Sequence, residues 1–322
     1  MKIFVTGATG VLGRRAVAQL LATGAEVTGV ARSRAKGEAL RALGATPVEV
    51  SLFDRDALSA AVDGHQVVCN LATAVPTGEQ ASGPDPWEIN HRIRREGARN
   101  LVDAALHAGA ERYVQESIAL LYADGGDTFL DESSAVEPTR ITEPALTAES
   151  EAARFDRHGG VGIALRFGTF YGFDSAHTIE TIEAARHGLF TVPGPAEAYW
   201  PSVTTDDAAS AVVAALRAPG GLYNVAEDRP LPRAEHADAL AGALGTGTLD
   251  VTAVNGHFPA DLSMMLRSQR VTSQLFKALT GWQPRFPSAW EGWPFVIAGL
   301  RDAATRGSAR STGRRHLPEA GT

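Results

Sequence analysis

At 322 residues the chain is long enough to bury a full core, as one large domain or as a main domain with a smaller lobe. Its composition, 44% hydrophobic and 21% charged, is typical of a soluble globular enzyme, and no apolar stretch is long enough to span a membrane. The net charge of −7, with no interleaving of basic and aromatic residues, argues against a nucleic acid as partner.

Two details of composition indicate origin and compartment. Only Lys2, Lys36 and Lys277 among the 30 basic residues are lysines, and with abundant Ala and Gly this bias is typical of a GC-rich bacterial genome. Cys69 is the one cysteine and lies in the apolar run QVVCNLA, so it predicts a buried strand thiol without a disulfide. Since no signal peptide precedes the first predicted strand, we expect a cytoplasmic protein.

The first predicted element is a short strand that runs into a glycine turn. Ile3, Phe4 and Val5 are followed by Gly7, Gly10 and Gly13, and then by apolar residues at helical spacing. Such a turn lets backbone N–H groups approach a pyrophosphate, whose negative charge the helix dipole favours. The strand–turn–helix context therefore predicts a dinucleotide site. The alternative is three turn glycines in an α/β protein that binds nothing.

The second predicted strand, residues 26–32, ends at Arg32. An acidic residue at this point is typical of NAD sites, because it accepts from the ribose hydroxyls. Arg32, followed by Ser33, Arg34 and Lys36, is instead suited to a 2′-phosphate, to which its planar fork can donate charge-assisted hydrogen bonds. We therefore expect NADP(H) in preference to NAD(H). The alternative is that these cations are the solvated start of the following helix.

Three further strands complete the predicted sheet. The third, TPVEVSL, ends at Ser51 and Leu52, and the fourth, HQVVCNLATA, ends at Leu71, Ala72 and Thr73. A long helix over residues 86–109 precedes the fifth strand, ERYVQES, which ends at Ser117. This alternation predicts an α/β, Rossmann-type doubly wound parallel sheet with its ligands above the carboxyl ends of the strands. The predicted cofactor site comprises Gly7, Thr9, Gly10, Val11, Leu12, Gly13, Arg32, Ser33, Ser51, Leu52, Leu71, Ala72, Thr73 and Asn90.

The order of several motifs resembles a known family. The motifs are TGATGVLG, VVCNLATA, the helix with Asn90, Gly97 and Asn100, then RYVQES, LRFGTFYG, VTTDDAASAVVAAL, LYNVAED and GWQPRFPSAWEGW. Together they are similar to the extended short-chain dehydrogenase/reductase superfamily, in particular its NAD-dependent epimerase/dehydratase branch. The resemblance implies a dinucleotide-binding domain of residues 1–172 with 204–226, and a substrate-binding lobe of residues 173–203 with 227–300. It also implies a small-molecule substrate and a homodimer. Residues 301–322 lack apolar periodicity and predict a flexible tail.

The sequence departs from this family at its catalytic positions. The resemblance implies a Tyr, a Lys four residues later on the same helix, and a hydroxyl at the end of the fifth strand. The helix EPALTAESEAARFDRHG contains neither Tyr nor Lys, and the two positions fall on Leu146 and Ser150. The hydroxyl position falls on Ile118, one residue after Ser117. We therefore expect an atypical member of the family that lacks the dyad.

Other polar residues are candidates for the missing roles. Ser117 is either catalytic with a shift of one residue or bonded to backbone, and Tyr122 is either an acid–base or a packing residue. His177, expected in a loop, suits proton transfer but equally suits solvent. Glu149 is either a buried base or an exposed helix charge; Glu151 has the same alternatives, and Trp87, Tyr199 and Trp200 predict either an aromatic-walled pocket or core packing. No spacing typical of a metal site occurs, so we expect no metal.

Three functions remain open at this point. The first is an NADP(H)-dependent oxidoreductase acting on a small organic or sugar-derived carbonyl or alcohol, with a non-standard proton donor. The second is an isomerase, lyase or cyclase on the same fold without net redox change. The third is a catalytically silent protein that binds and senses NADP(H) and acts through a partner. The resemblance favours the first, but function depends on the site.

Overall fold

The computed structural model describes residues 1–76, 85–251 and 260–313. The strands are β1 (Lys2–Thr6), β2 (Glu26–Val30), β3 (Thr46–Val48), β4 (Val67–Asn70), β5 (Arg112–Ile118), β6 (Phe129–Leu130), β7 (Val161–Phe167), β8 (Thr169–Tyr171), β9 (Leu189–Phe190), β10 (Tyr199–Trp200), β11 (Ser202–Thr204), β12 (Gly221–Val225), β13 (Leu231–Pro232), β14 (Asp250–Val251) and β15 (Arg270–Val271).

The helices alternate with the longer strands. They are α1 (Val11–Ala22), α2 (Arg34–Leu43), α3 (Arg55–Val62), α4 (Glu88–Arg92), α5 (Ala98–His107), α6 (Glu143–Arg157), α7 (Ala176–Arg186), α8 (Thr205–Ala215), α9 (Arg233–Leu244), α10 (Gln274–Thr280) and α11 (Ala289–Gly313). A π-helical turn (Ile93–Gly97) joins α4 to α5, and 3₁₀ turns occupy Ala119–Leu121 and Ala260–Leu266.

A parallel sheet of seven strands lies at the centre, in the order β12-β7-β5-β4-β1-β2-β3. The chain passes outward from β1 to β3, and β4 returns to the other side of β1. This reversal leaves a crevice at the carboxyl ends of β1 and β4, the usual ligand position in such sheets. The predicted α/β Rossmann-type fold is therefore confirmed.

The strands are apolar on both faces because helices cover both. Ile3, Phe4 and Val5 are fully buried, as expected for a parallel strand between two layers. One face packs against α1 and α8, and the opposite face against α3, α5 and α6. A second core, which includes Phe190, Trp200, Leu240 and Trp293, lies outside the sheet and contains residues of the short strands β9, β10 and β13.

Several predicted boundaries differ from the structure. β2 ends at Val30, before Arg32. β3 ends at Val48, because residues 51–54 form a separate turn in which Asn100 Nδ2 donates to the carbonyl of Leu52. The helix predicted over 86–109 consists of α4, the π-helical turn and α5.

The segment expected to be an irregular tail from residue 301 is helical up to Gly313, as part of α11; residues 314–322 lie outside the described residues. Within the ranges that are described, no helix is both long and apolar enough to cross a membrane.

Candidate cofactor and active site

The glycine turn is closed so tightly that side chains are excluded from it. Gly7 has φ +66°, and a Cβ there would overlap the backbone of Leu71 and Ala72 at the end of β4. A Cβ on Gly13 would overlap the carbonyl of Gly7. Gly10 precedes α1 without a side-chain cap, so the first-turn amides of α1 keep their capacity to bind an anion. This cradle fits a pyrophosphate.

The loop after β4 is fixed by Asn90, one of the predicted cofactor residues. Asn90 is buried, and its Oδ1 accepts from the backbone N–H of Ala74 at 3.0 Å. Leu71 is buried in the loop start, whereas Ala72 and Thr73 are half-buried at the crevice. The amide of Asn90 is therefore engaged by the loop, which gives it a supporting position at the predicted site.

Two arginines follow the end of β2, and among the described residues only one of them has an acidic partner. Arg34 is paired with Glu38 at 3.0 Å. Arg32 is exposed, and among the described residues it has no acidic partner. Ser33 caps α2 by accepting from the N–H of Lys36 at 3.4 Å, so its hydroxyl is engaged. Arg32 therefore remains available to an anionic ligand at the strand end.

The turn after β3 lies on the same edge of the sheet. Ser51 Oγ accepts from the N–H of Phe53 at 3.2 Å, and Leu52 lies over Gly97. Thr9, Val11 and Leu12 belong to the turn and first residues around α1; Thr9 and Val11 are half-buried and Leu12 is buried. The predicted cofactor residues are thus gathered along the carboxyl edge of β1 to β4.

The helix α6 presents a carboxylate to the ends of β5 and β7. Ser117 Oγ donates to Glu149 Oε1 at 2.6 Å. Arg166, the register partner of Ser117, donates from Nε to Oε1 and from Nη2 to Oε2, both at 2.8 Å. Burial alone would lower the pKa of Arg166, but the hydrogen bonds and charge of Glu149 raise it above its usual range. We call Ser117, Glu149 and Arg166 the β5–α6 cluster.

A second buried ion pair lies beside this cluster. The π-helical turn carries Arg94, whose Nη2 lies 2.9 Å from Glu116 Oε2 at the end of β5. Burial raises the pKa of the Glu116 carboxyl, Arg94 counteracts this rise, and the charge of Glu149 adds to it. π-Helical turns are rare in proteins, and those that occur are often found at functional sites. Two carboxylates, each ion-paired with an arginine, therefore flank the last residues of β5.

Tyr122, predicted as an acid–base or a packing residue, is fully buried. Its hydroxyl donates to Asn224 Oδ1 at 2.8 Å, and the guanidinium of Arg166 lies 4.9 Å from its ring centre. Burial raises the pKa of the phenol. This arrangement favours the packing alternative.

His177 was expected in a loop, but it is the second residue of α7, where it is exposed. The helix begins here because Ser175 is extended and the carbonyl of Gly172 accepts the Ser175 N–H. The structure does not bring His177 into hydrogen-bond contact with the β5–α6 cluster.

The positions expected to hold the family hydroxyl and phenol are apolar and accessible. Ile118, Leu120 and Leu146 are half-buried. Ser150 is exposed, and its hydroxyl donates back to the carbonyl of Thr147. Of the predicted aromatic wall, Trp87 is half-buried, whereas Trp200 packs on Arg233 and Tyr199 on Arg270. The described surface at these positions is therefore mainly aliphatic.

A buried polar network that the sequence patterns did not reveal joins the sheet to the second core. Tyr171 donates to Glu227 Oε1 at 2.5 Å, and Ser202 donates to Oε2 at 2.7 Å. His236 Nε2 lies 3.2 Å from Ser202 Oγ. Burial raises the pKa of Glu227 to about 7 and lowers that of His236 to about 4. Tyr171 and Glu227 are 56 positions apart in the sequence, so no local pattern could indicate this network.

The described residues contain no group of three or more His, Cys, Asp or Glu side chains that could hold a metal ion. The thiol of Cys69 is buried, which raises its pKa to about 12 and leaves it unreactive. Acid–base or nucleophilic chemistry on this thiol is therefore unfavourable.

Comparisons with known proteins agree with this geometry. Residues 3–226 match the NAD dependent epimerase/dehydratase family. A 3-diazoavenalumate denitrifying reductase from a Streptomyces species is 31% identical over 315 residues, which cover 91% of this chain and 99% of that protein.

Two solved structures are similar in fold. UDP-glucose 4-epimerase from Thermotoga maritima, crystallised with UDP-glucose, has a TM-score of 0.79 at 21% identity, over 94% of this chain and 100% of its own. The UDP-glucose 4-epimerase of Thermus thermophilus, in complex with NAD, has a TM-score of 0.77 at 21% identity over the same shares. At these identities the similarity extends to the fold alone.

Proposed function

Because the chain belongs to the NAD dependent epimerase/dehydratase family, we propose that it is an NADP(H)-dependent oxidoreductase that transfers hydride to a small organic acceptor. The family supports an NAD(P)-dependent enzyme. The preference for NADP(H), the acceptor and the roles of single residues are our proposals.

The observation that carries the proposal is the cradle together with Arg32. Gly7 and Gly13 permit close backbone approaches that a Cβ would block, and the first-turn amides of α1 have no side-chain cap. These groups would hold the pyrophosphate, and Arg32 would hold a 2′-phosphate through charge-assisted hydrogen bonds. Ala72 and Thr73 would line the crevice beyond it. When bound, the reduced nicotinamide supplies the hydride.

We propose an arene diazo compound as the first acceptor class. The Streptomyces relative is named a denitrifying reductase of such a compound. Replacement of a diazonium group by hydrogen forms one C–H bond and breaks one C–N bond, whose electrons leave with N₂. The reaction consumes no proton, so it needs no Tyr or Lys on α6. The half-buried Ile118, Leu120 and Leu146 are suited to contact an aromatic ring.

A carbonyl is the second acceptor class, and the position of Ser117 supports it. Ser117 lies at the end of β5, one residue from the place of the family hydroxyl. In this alternative its Oγ–H turns from Glu149 to the reacting oxygen. Tyr122 and His177 are the other proposed proton donors. Each would require rearrangement, since Tyr122 is buried and His177 lies on α7.

An acceptor panel tests the proposal. The full chain is incubated with NADPH or NADH and with an arenediazonium salt, aryl ketones or sugar nucleotides. We expect NADPH to be consumed with the diazonium salt and the arene to appear without nitrogen. Affinity for NADPH should exceed that for NADH by about tenfold or more. Conversion of a substrate without net NADPH oxidation would indicate an isomerase or lyase. Binding without turnover of any compound would indicate an NADP(H)-sensing protein.

A further inference from the structure

Glu149 is the most accessible member of the β5–α6 cluster. Its side chain is 11% exposed, against 5% for Arg166, and Ser117 is fully buried. Ser117 and Arg166 lie at the carboxyl ends of adjacent strands, the edge where the crevice opens. Of the three polar groups in the cluster, the Glu149 carboxylate on α6 is therefore the most accessible to a molecule in the crevice.

In the arrangement seen here, the hydroxyl proton of the cluster is engaged within the cluster. Glu149 accepts three hydrogen bonds through its two oxygens, one from Ser117 and two from Arg166. The Ser117 hydroxyl already donates its single proton to Glu149. The guanidinium of Arg166 does not deprotonate in proteins. Beside the cluster, Arg94 and Glu116 are engaged with each other.

We propose that this site accepts a positively charged electrophile, which is reduced by hydride alone, and that Glu149 selects its charge. The inference rests on the proposed function and specifies its substrate class. Hydride addition to an iminium carbon forms one C–H bond, and the π electrons of the C=N bond become the lone pair of a neutral amine. A carbonyl would instead become an alkoxide, which needs a proton and is repelled by a carboxylate.

Two bicyclic probes of similar size separate the alternatives. N-methyl-dihydroisoquinolinium is a permanent iminium cation, and tetralone is a neutral ketone of similar bicyclic shape. With the full chain and saturating NADPH, we expect kcat/KM for the cation to exceed that for the ketone by roughly 100-fold or more. The rate with the cation should be flat between about pH 6 and 9. Faster reduction of the ketone, or a steep fall of the cation rate with pH, would overturn the inference.

Variants of one helix assign the preference to Glu149. Glu149→Gln should lower kcat/KM for the cation by about tenfold or more and should not lower that for the ketone, because the variant no longer repels the forming alkoxide. Glu151→Gln is the matched control, because Glu151 lies on α6 with a side chain only 9% exposed and is paired with Arg154. Since Glu149→Gln leaves Arg166 unpaired, the double variant Glu149→Gln/Arg166→Met provides a charge-balanced second test. An unchanged preference in both Glu149 variants, or equal loss in Glu151→Gln, contradicts the assignment.

Failure of the proposed function gives a different result. If the enzyme oxidises NADPH with neither probe, the proposed function is wrong. Equilibrium binding of the same two probes then decides the inference. Tighter binding of the cation, lost in Glu149→Gln and kept in Glu151→Gln, supports a cation-selective site. Equal binding of the two probes, or tighter binding of tetralone, overturns it.

Discussion

Arg32 and Arg34 stand two residues apart and differ in what they contact. Arg34 forms an ion pair with Glu38, whereas Arg32 has no acidic partner in the part of the chain that the structure describes. We predict that Arg32→Ala weakens NADPH binding by about tenfold or more and leaves NADH binding unchanged, because only NADPH carries the 2′-phosphate. Arg34→Ala is the control and should change neither. Fluorescence titration measures both affinities, and an unaltered NADPH preference in Arg32→Ala would show that this arginine does not select the cofactor.

Glu227 is a buried carboxyl that accepts from Tyr171 and Ser202 without a hydrogen-bonded cation. Its pKa of about 7 lies above the value of 4.5 expected when unfolded, so the folded protein holds this proton more tightly. Stability from this group is therefore present below about pH 4.5 and falls as pH rises through 7. The loss amounts to about 3 kcal/mol of unfolding free energy. Asp207 and Glu291 add to the rise of the pKa.

We predict that Glu227→Gln removes this pH dependence. The amide keeps the shape of the carboxyl and stays neutral, so the variant should be more stable than the wild type above pH 7 and similar below pH 5. Denaturant unfolding at a series of pH values measures the difference. Because the pKa of His236 is lowered to about 4, the protein loses stability as pH falls from 6.5. This pH dependence is the same in the wild type and the variant, so it cancels in the comparison. A wild type that remains the more stable protein at high pH would contradict the account.

At the scale of elements, α1 depends on a close approach that only glycine permits. A Cβ at Gly13 would overlap the carbonyl of Gly7, whereas at Gly242 of α9 it would meet open space. We predict that Gly242→Ala stabilises the protein by up to about 1 kcal/mol, because alanine favours helix. Gly13→Ala should destabilise it and abolish detectable NADPH binding. Thermal unfolding with and without NADPH compares the two, and normal NADPH binding by Gly13→Ala would show that the cradle is not the cofactor site.

Elements near in sequence were largely predictable, and their long-range contacts were not. Local patterns predict β1, α1 and the end of β5 at Ser117, because apolar runs and glycine turns act over a few residues. The same patterns leave Glu149 as either a buried or an exposed helix charge. Its partners, Ser117 and Arg166, come from two strands, so only the packing of α6 on the sheet decides the outcome.

The π-helical turn is a second feature that periodicity did not reveal. The apolar positions of residues 86–109 are compatible with one continuous helix, whereas the structure inserts a wider turn at Ile93–Gly97. That turn carries Arg94 to Glu116, a contact made across sequence-distant elements. The absence of Tyr and Lys is evident from the amino-acid sequence of α6. The ion pairs near their positions could not be predicted from that sequence.

One ion-pair cluster joins α1 to the segment after β8 and to the start of α8. Arg15 of α1 is buried and contacts Asp174 and Asp206, and Arg14 contacts Asp174 at 2.6 Å. Since buried charges need their partners, this cluster fixes α1 against residues expected to begin the substrate lobe. The division into a cofactor domain and a lobe remains a prediction. Phe276 and Trp282, assigned to the lobe, pack into the core of the sheet.

The family resemblance also implies a homodimer. Ion pairs link α5 and its π-helical turn to α6, among them Arg95 with Glu143 at 2.5 Å and Arg154 with Asp103 at 2.8 Å. We predict that a homodimer built on these helices depends on charge and dissociates when NaCl rises from about 50 mM to about 0.5 M. Light scattering should then change from twice 33.9 kDa to 33.9 kDa. A dimer insensitive to salt would place the interface elsewhere, and a monomer at low salt would refute the homodimer.

We propose that this fold, without a Tyr or Lys on α6, still transfers hydride from NADPH. The most direct test is to incubate the full chain with NADPH that carries two deuterium atoms at C4 and with an arenediazonium salt, and to analyse the product by mass spectrometry. We predict one deuterium on the carbon that lost nitrogen, with one NADPH oxidised for each N₂ released. Binding of NADPH with all deuterium retained in the cofactor, or product hydrogen drawn from solvent, would contradict the account.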